Sequence, residues 1–367
     1  MKTTERLESL DALRGFDMFF IVGGSVLISA LATLFPSDFS SFVSHQMSHV
    51  EWHGFAFYDM IFPLFLFIAG VSFPYSLDKS RENGKSNKEI LKTILIRALK
   101  LIVLGLIING FMQLNFEKTR YASVLGRIGI AWMLGAFVYM AGGRKWSAII
   151  TAILLIGYYF LAAFVPNPDA APGTSLFSPE GSIVGWFDVQ FLPGRVLDTL
   201  YDPEGILSTI PSVATALLGI ITGSYLKSEN FNQMQKVYGM LVAAVLLAGI
   251  GLFWNELFPI NKKLWTSSYV CFAGGLSLLL LAIFYLVIDV LKWKRWAFFF
   301  KVIGLNSITI YVAQRVFNFH HMTNYLGGGI VRLFPEEAHP VVYAMVYLAV
   351  VWGFLYFLYR KKIFLKV

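Results

Sequence analysis

Three histidines spaced four apart, His45, His49 and His53, run up to an aspartate, Asp59, and together these residues could do chemistry. If 44–53 is helical, the three imidazoles share one face. Imidazole is the side chain most readily poised between nucleophile, base and acid near neutral pH. A metal site, or a nucleophilic or basic histidine paired with a carboxylate, would suit the spacing. A metal site wants three or four converging ligands, and no carboxylate falls on that stripe, so catalysis ranks above metal and no metal is expected. The ordinary alternative is a polar interfacial helix. Asp59 opens an apolar run at Tyr58-Asp59-Met60-Ile61-Phe62-Pro63. As a helix N-cap it would accept first-turn amides. As the partner of a histidine it would fix the tautomer and stabilise the imidazolium. Both readings are open on spacing alone.

A few other polar residues stand out against apolar surroundings. Arg127, in Leu125-Gly126-Arg127-Ile128-Gly129, lies roughly 8 Å inside the outer end of an apolar run. It either snorkels to the interface or faces inward to bind an anion, and the flanking glycines favour close approach. Asn306-Ser307 fall roughly 15 Å into another run, where polar residues face the bundle interior or bond neighbouring helices. Asp202-Pro203-Glu204-Gly205 and Asn261-Lys262-Lys263-Leu264-Trp265-Thr266-Ser267-Ser268-Tyr269 form two polar helix entrances. Dipole partners and belt aromatics explain them. So does a sugar-binding rim of carboxylate, amide, hydroxyl and aromatic plate, with Glu204, Asn261, Lys262, Trp265 and Ser268 as its members.

The elements that must position these groups follow from composition. Of 367 residues, 57% are hydrophobic and 14% charged, with a mean hydropathy of +0.64. Soluble domains carry about 25% charged residues, so a soluble globular protein is excluded. Ten segments meet the roughly 20-residue apolar length of a spanning helix: 16–35, 59–77, 93–112, 122–141, 146–165, 206–225, 237–254, 265–289, 296–318 and 340–359. The fold class is an all-α polytopic membrane protein of about ten transmembrane helices. The first run is read as a retained helix despite Ala30-Leu31-Ala32, because it is longer than a signal and contains Asp17.

With ten alternating spans, 22 of the 30 Lys and Arg fall on the side of the N-terminus, which places both termini in the cytoplasm. The net charge of +8 is then an orientation signal, and no nucleic acid is implied. All six histidines fall on the other side, which favours an outer-facing site. Residues 166–205, with six prolines, read as an ordered cap. Residues 319–339 read as a second outer loop, and 78–92 as an inner hairpin. The lone Cys271 excludes a disulfide framework. No internal repeat or matched pair of half-helices is visible, which counts against a transporter.

The motifs resemble the membrane acyltransferases related to lysosomal heparan-α-glucosaminide N-acetyltransferase. The blocks are Arg6-Leu7-x-Ser9-Leu10-Asp11-x2-Arg14-Gly15; His49-x2-Trp52-x-Gly54 with Asp59-x2-Phe62-Pro63-x-Phe65-x-Phe67-Ile68-x-Gly70; and Val124-Leu125-x-Arg127-x-Gly129. They continue with Tyr201-Asp202-Pro203-Glu204-Gly205-Ile206-Leu207-x-Thr209-Ile210, Asn261-Lys262-x-Leu264-Trp265-x2-Ser268-Tyr269-Val270, Asn306-Ser307-Ile308-x2-Tyr311-Val312 and Tyr359-Arg360-Lys361-Lys362-Ile363-Phe364. The resemblance implies one transmembrane acyltransferase domain over 1–367, with outer loops 36–58, 166–205 and 319–339 forming the non-cytoplasmic cap. It implies transfer of acetyl from cytoplasmic acetyl-CoA, the co-substrate, to the amine of a terminal glucosamine on the far side.

In that family the histidine matching His49 is catalytic and the carboxylate matching Asp59 lies close by. Arg127, Asn306 and Ser307 would then bind the cofactor and polarise its thioester. The resemblance also implies a homodimer in a lipid bilayer, here a bacterial inner membrane. Departures from the lysosomal enzyme are its extra N-terminal portion and span, its loop cysteines, and an asparagine where this chain has Ser25. A secondary transporter or exporter of a small polar solute, and an O-acyltransferase acting on a cell-surface glycan, are the alternatives.

Overall fold

Serine and asparagine set where several of the helices begin. A computed structural model describes residues 7–365, so Lys2, Arg6 and Lys366 lie outside the described residues. In chain order the helices are α1 (Glu8–Phe19), α2 (Ser25–Leu34), α3 (Asp38–Gln46), α4 (Ile61–Glu82), α5 (Asn87–Ile108), α6 (Val124–Phe164) and α7 (Ile183–Phe191). They continue as α8 (Thr209–Lys227), α9 (Gln233–Trp254), α10 (Ser267–Phe284), α11 (Ala297–Leu305), α12 (Ser307–Val316), α13 (Phe319–Val331) and α14 (His339–Arg360). Ser37, Ser86, Ser123, Ser182, Asn232 and Asn318 each accept a first-turn amide at the N-terminus of their helix, satisfying an orphan donor. No strand forms among the described residues.

Among the described residues seven helices are long and apolar enough to cross a membrane, or eight if the bent pair α11–α12 is counted as one span. The ten expected segments map onto these differently. Segments 122–141 and 146–165 are the two halves of α6, two helices that meet at a break at Gly143, where the backbone leaves the helical region (φ 64°, ψ −157°). Segment 93–112 is α5, which carries Lys92, Arg97 and Lys100 and so falls short of the apolarity of the others. Segment 296–318 is not a continuous helix. It bends by 66° at Asn306, a residue whose side chain competes for backbone hydrogen bonds and favours helix ends. Residues 319–339 are not a plain loop either, because Asn318 caps α13 there.

The chain divides into two compact units. One contains the segment up to Glu51, Phe55–Ile61 and the segment from Leu280 onward. In it α1 packs on α11 at backbone contact: a Cβ on Gly15 would strike the Phe300 carbonyl, and one on Gly304 the Asp11 carbonyl. Small residues let membrane helices approach in this way. After Phe19 the chain kinks through Phe20–Gly24, where Gly23 takes a non-helical backbone (φ 155°), and Gln314 Nε2 donates to the Val22 carbonyl at 3.3 Å.

The other unit contains Trp52–Gly54 and Phe62–Leu279. Here α4 and α8 touch through Gly70, Gly219 and Gly223, each of which has no room for a side chain. Trp132 of α6 donates to the Ala69 carbonyl at 3.2 Å, and Arg97 of α5 lies 4.3 Å over its ring. The stretch 166–205 is ordered around α7: Ile183 and Val184 are buried with Tyr158, Ala162, Phe258 and Leu264.

Candidate active site

Helix α3 stops at Gln46, so the three histidines do not form a helical stripe. The cause is Asp59. Its Oδ2 accepts from the amides of Ala56 at 3.1 Å and Val50 at 3.4 Å, and Gln46 Oε1 accepts from the Phe57 amide at 2.8 Å. These bonds fold 47–56 back as a loop. Asp59 Oδ1 meets Nδ1 of His49 at 2.8 Å. One carboxylate oxygen thus engages the imidazole, and the other takes the amides of Val50 and Ala56, which precede Asp59, in place of the first-turn amides that an N-cap would accept. Asp59 is 1% exposed and the His49 side chain 49%. An oriented carboxylate beneath a half-exposed imidazole is an arrangement that serves a nucleophilic or basic histidine. The Tyr58 ring packs against His49, their centroids 4.8 Å apart. Among the described residues no group of three or more His, Cys, Asp or Glu is placed to hold a metal ion.

Asn306 and Ser307 belong to the same unit as His49 and Asp59. Asn306 sits at the break between α11 and α12, 1% exposed. Its Oδ1 accepts from Thr309 at 3.4 Å, and its Nδ2 has no hydrogen-bond partner. Ser307 is buried as the first residue of α12.

The remaining expected residues belong to the second unit. Arg127 does not snorkel: it is 2% exposed in the first turn of α6. Its Nη2 donates to the Gly205 carbonyl at 3.2 Å and to Ser208 Oγ, and its guanidinium lies 5.1 Å from the Trp265 ring. Nε and Nη1 are left without partners. Glu204 pairs with Arg120, which also grips Asp202 through Nε at 2.8 Å and Nη2 at 2.5 Å. Burial opposes the Arg120 charge, but the two carboxylates outweigh it and hold its pKa above the ordinary value.

Of the residues expected to form a sugar-binding rim, Asn261 and Trp265 are buried within a self-capped loop and Ser268 is buried in the first turn of α10. Asn261 Oδ1 accepts from the Leu264 amide at 2.9 Å. Thr266 Oγ1 accepts from the Asn261 amide at 3.0 Å and meets Ser268 Oγ at the same distance. Trp265 adopts φ 53°, an uncommon conformation for a bulky residue, and its indole donates to Thr215 at 3.2 Å. Lys262 is partly exposed in this loop. Asn261 Nδ2 also lies 3.4 Å from Nδ1 of His53. Beside the loop Trp52 packs edge-on to Tyr201 at 4.9 Å, with the Lys263 ammonium 5.6 Å from the Tyr201 ring.

Two residues here escaped the sequence reading. Arg120 had a signal: few charges lie on the outer side, and Asp202 and Glu204 needed a partner. Asp188 had none, since α7 read only as part of the cap. Its Oδ1 accepts from the Ile206 amide at 2.8 Å, while Oδ2 is buried and unpartnered. Burial pushes the Asp188 carboxyl up to about 7, against the lowering pull of Ile206 and Arg127.

A family model described as heparan-alpha-glucosaminide N-acetyltransferase, catalytic, matches residues 6–253. Heparan-alpha-glucosaminide N-acetyltransferase of Homo sapiens is 26% identical over 419 residues, covering 99% of this chain and 60% of that protein. The Mus musculus protein of the same name is 27% identical over 378 residues, covering 87% of this chain and 56% of its own length. The chain thus spans less than two thirds of each relative. The matched region takes in His49, Asp59, Arg127 and Glu204, and the chain belongs to the heparan-alpha-glucosaminide N-acetyltransferase catalytic family.

Proposed function

We propose that this protein is a transmembrane N-acetyltransferase that moves acetyl from cytoplasmic acetyl-CoA to the amine of a terminal glucosamine-type sugar on the other side. The observation that carries the reading is the 2.8 Å pair between His49 and Asp59, together with membership of the family. Asp59 holds Nδ1 of the imidazole, so the chemistry falls to Nε2. There it either attacks the thioester, giving acetyl-imidazole and CoA thiolate, or takes the proton of the sugar amine as that amine attacks. CoA phosphates are very costly to bury, so the nucleotide stays at the basic inner face and only the pantetheine arm enters the bundle.

Arg127, Asn306 and Ser307 are assigned to the cofactor, because Arg127 Nε and Nη1 and Asn306 Nδ2 are buried donors still to be satisfied. Glu204, Asn261, Lys262, Trp265 and Ser268 are assigned to the acceptor, three of them as the buried frame of its loop. Ten crossings, with α5 counted and α6 divided at Gly143, put both termini in the cytoplasm. The resemblance extends this to a homodimer in a bacterial inner membrane.

The test is mass spectrometry of glucosamine-terminated acceptors incubated with acetyl-CoA and reconstituted protein. The expected product is an amide, lost in His49→Ala by about 10²–10⁴-fold in rate. An ester would indicate the O-acyltransferase alternative, and solute flux without covalent change a transporter. Wild-type turnover in His49→Ala would refute the assignment.

A further inference from the structure

Asp188 has no part in the chemistry above, yet it is 0% exposed and its carboxylate makes one directed contact. From α7, its Oδ1 accepts from the Ile206 amide at 2.8 Å. From the first turn of α6, Nη2 of Arg127 donates to the Gly205 carbonyl at 3.2 Å. The Ile206 N–H and the Gly205 C=O are the two ends of one peptide group. That group therefore lies between a buried carboxylate and a buried guanidinium, its donor on the anion and its acceptor on the cation.

Resonance joins the two ends of a peptide group, and hydrogen bonds in a chain polarise one another where the dielectric is low. A carboxylate at the N–H makes the carbonyl a stronger acceptor for the guanidinium and fixes the plane in which it lies. Residue 205 suits this contact, because a Cβ there would strike the Asp188 carboxylate. The same carbonyl accepts from Thr209 Oγ1 at 2.7 Å and Ser208 Oγ at 3.4 Å, and Ser208 Oγ accepts from Arg127 Nη2. Nη2 is thus anchored at the entrance of α8. Nε and Nη1, both buried, are the donors left for a ligand.

We propose that Asp188 is a positioning residue for Arg127, acting through the Gly205–Ile206 peptide group to hold Nη2 and so aim Nε and Nη1 at acetyl-CoA. This inference rests on the assignment of Arg127 to the cofactor.

The experiment measures CoA binding by titration calorimetry to wild type, Asp188→Asn, Arg127→Gln and the Asp188→Asn/Arg127→Gln pair, as full-length protein in nanodiscs at pH 8. That pH lies above the value of about 7 to which burial raises the carboxyl, so the wild type carries the charge that asparagine lacks. Asparagine keeps an acceptor for Ile206, but hydrogen bonds to charged groups are about twice as strong as neutral ones. Asp188→Asn should therefore bind CoA about three- to tenfold more weakly while melting at or above the wild-type temperature. The pair should bind no more weakly than Arg127→Gln alone, because residues acting in series are non-additive. Wild-type affinity in Asp188→Asn would overturn the proposal. So would losses that multiply in the pair, or a lower melting temperature that accounts for the weaker binding.

A second readout needs no cofactor: the Nε–H signal of Arg127 in protein labelled with ¹⁵N-arginine, assigned by its loss in Arg127→Lys. Asp188→Asn should shift that signal, and an unmoved signal overturns the proposal. If wild type binds no CoA, the cofactor assignment fails, and the signal alone decides whether Asp188 positions Arg127.

Discussion

Replacing Asp188 by asparagine should make the protein more stable at pH 8 while leaving it nearly unchanged at pH 4. The carboxyl is raised from 3.8 to about 7, first by burial, with the Ile206 amide and Arg127 pulling the other way. A group that holds its proton more tightly when folded stabilises the protein fully below its unfolded pKa, and that stabilisation is lost as pH rises through the folded pKa. The window is therefore about pH 4 to 7. A rise of about three units, at about 1.36 kcal/mol each, is a penalty of about 4 kcal/mol above pH 7. Between pH 5 and pH 8 the wild type should lose about 2–3 kcal/mol relative to the variant. Asparagine keeps the oxygen that accepts from Ile206 and puts a neutral amide where Oδ2 has no partner. Thermal melting in detergent at both pH values, with hydrogen exchange over 183–208, measures this difference. Equal pH dependence in the two proteins, or a variant less stable than wild type at pH 8, would refute the reasoning.

Arg120→Ala leaves two largely buried carboxylates, Asp202 and Glu204, without their shared cation. It should cost about 3–5 kcal/mol by melting and loosen 195–208 in hydrogen exchange. Gly304→Ala drives a methyl group into the Asp11 carbonyl and should cost about 1–3 kcal/mol. Gly157→Ala, which meets nothing within 4 Å, should gain up to about 1 kcal/mol in the same assay through helix propensity.

The apolar runs were legible because run length is local information, whereas spacing left three histidines and two roles for Asp59 open, and it was the resemblance that selected His49. That no helical stripe forms was not legible, because it required knowing that Asp59 would take the Val50 and Ala56 amides and end the helix. Asn306 was legible as an intramembrane polar residue, but not as a bend, since propensity alone does not say which side wins in an apolar run. The burial of Asn261, Trp265 and Ser268 was not legible for a related reason. Polar residues at a helix entrance look the same in sequence whether they face water or, like Asn261 and Thr266, close a loop on itself. Arg120 and Asp188 act across 82 and 18 residues of chain, a separation that periodicity does not report.

Trp52–Gly54 interrupts one unit in sequence and belongs to the other. The indole of Trp52 donates to the Phe177 carbonyl at 2.7 Å, and the Gly54 amide to the Ile260 carbonyl at 2.9 Å. For anyone seeking a minimal fragment, this removes the obvious place to cut. A polypeptide covering 62–279 would hold nearly all of the second unit and still leave both carbonyls without their donors and Tyr201 without its aromatic neighbour. The smallest separable piece must begin ahead of Trp52, and so must carry His49 or start within three residues of it.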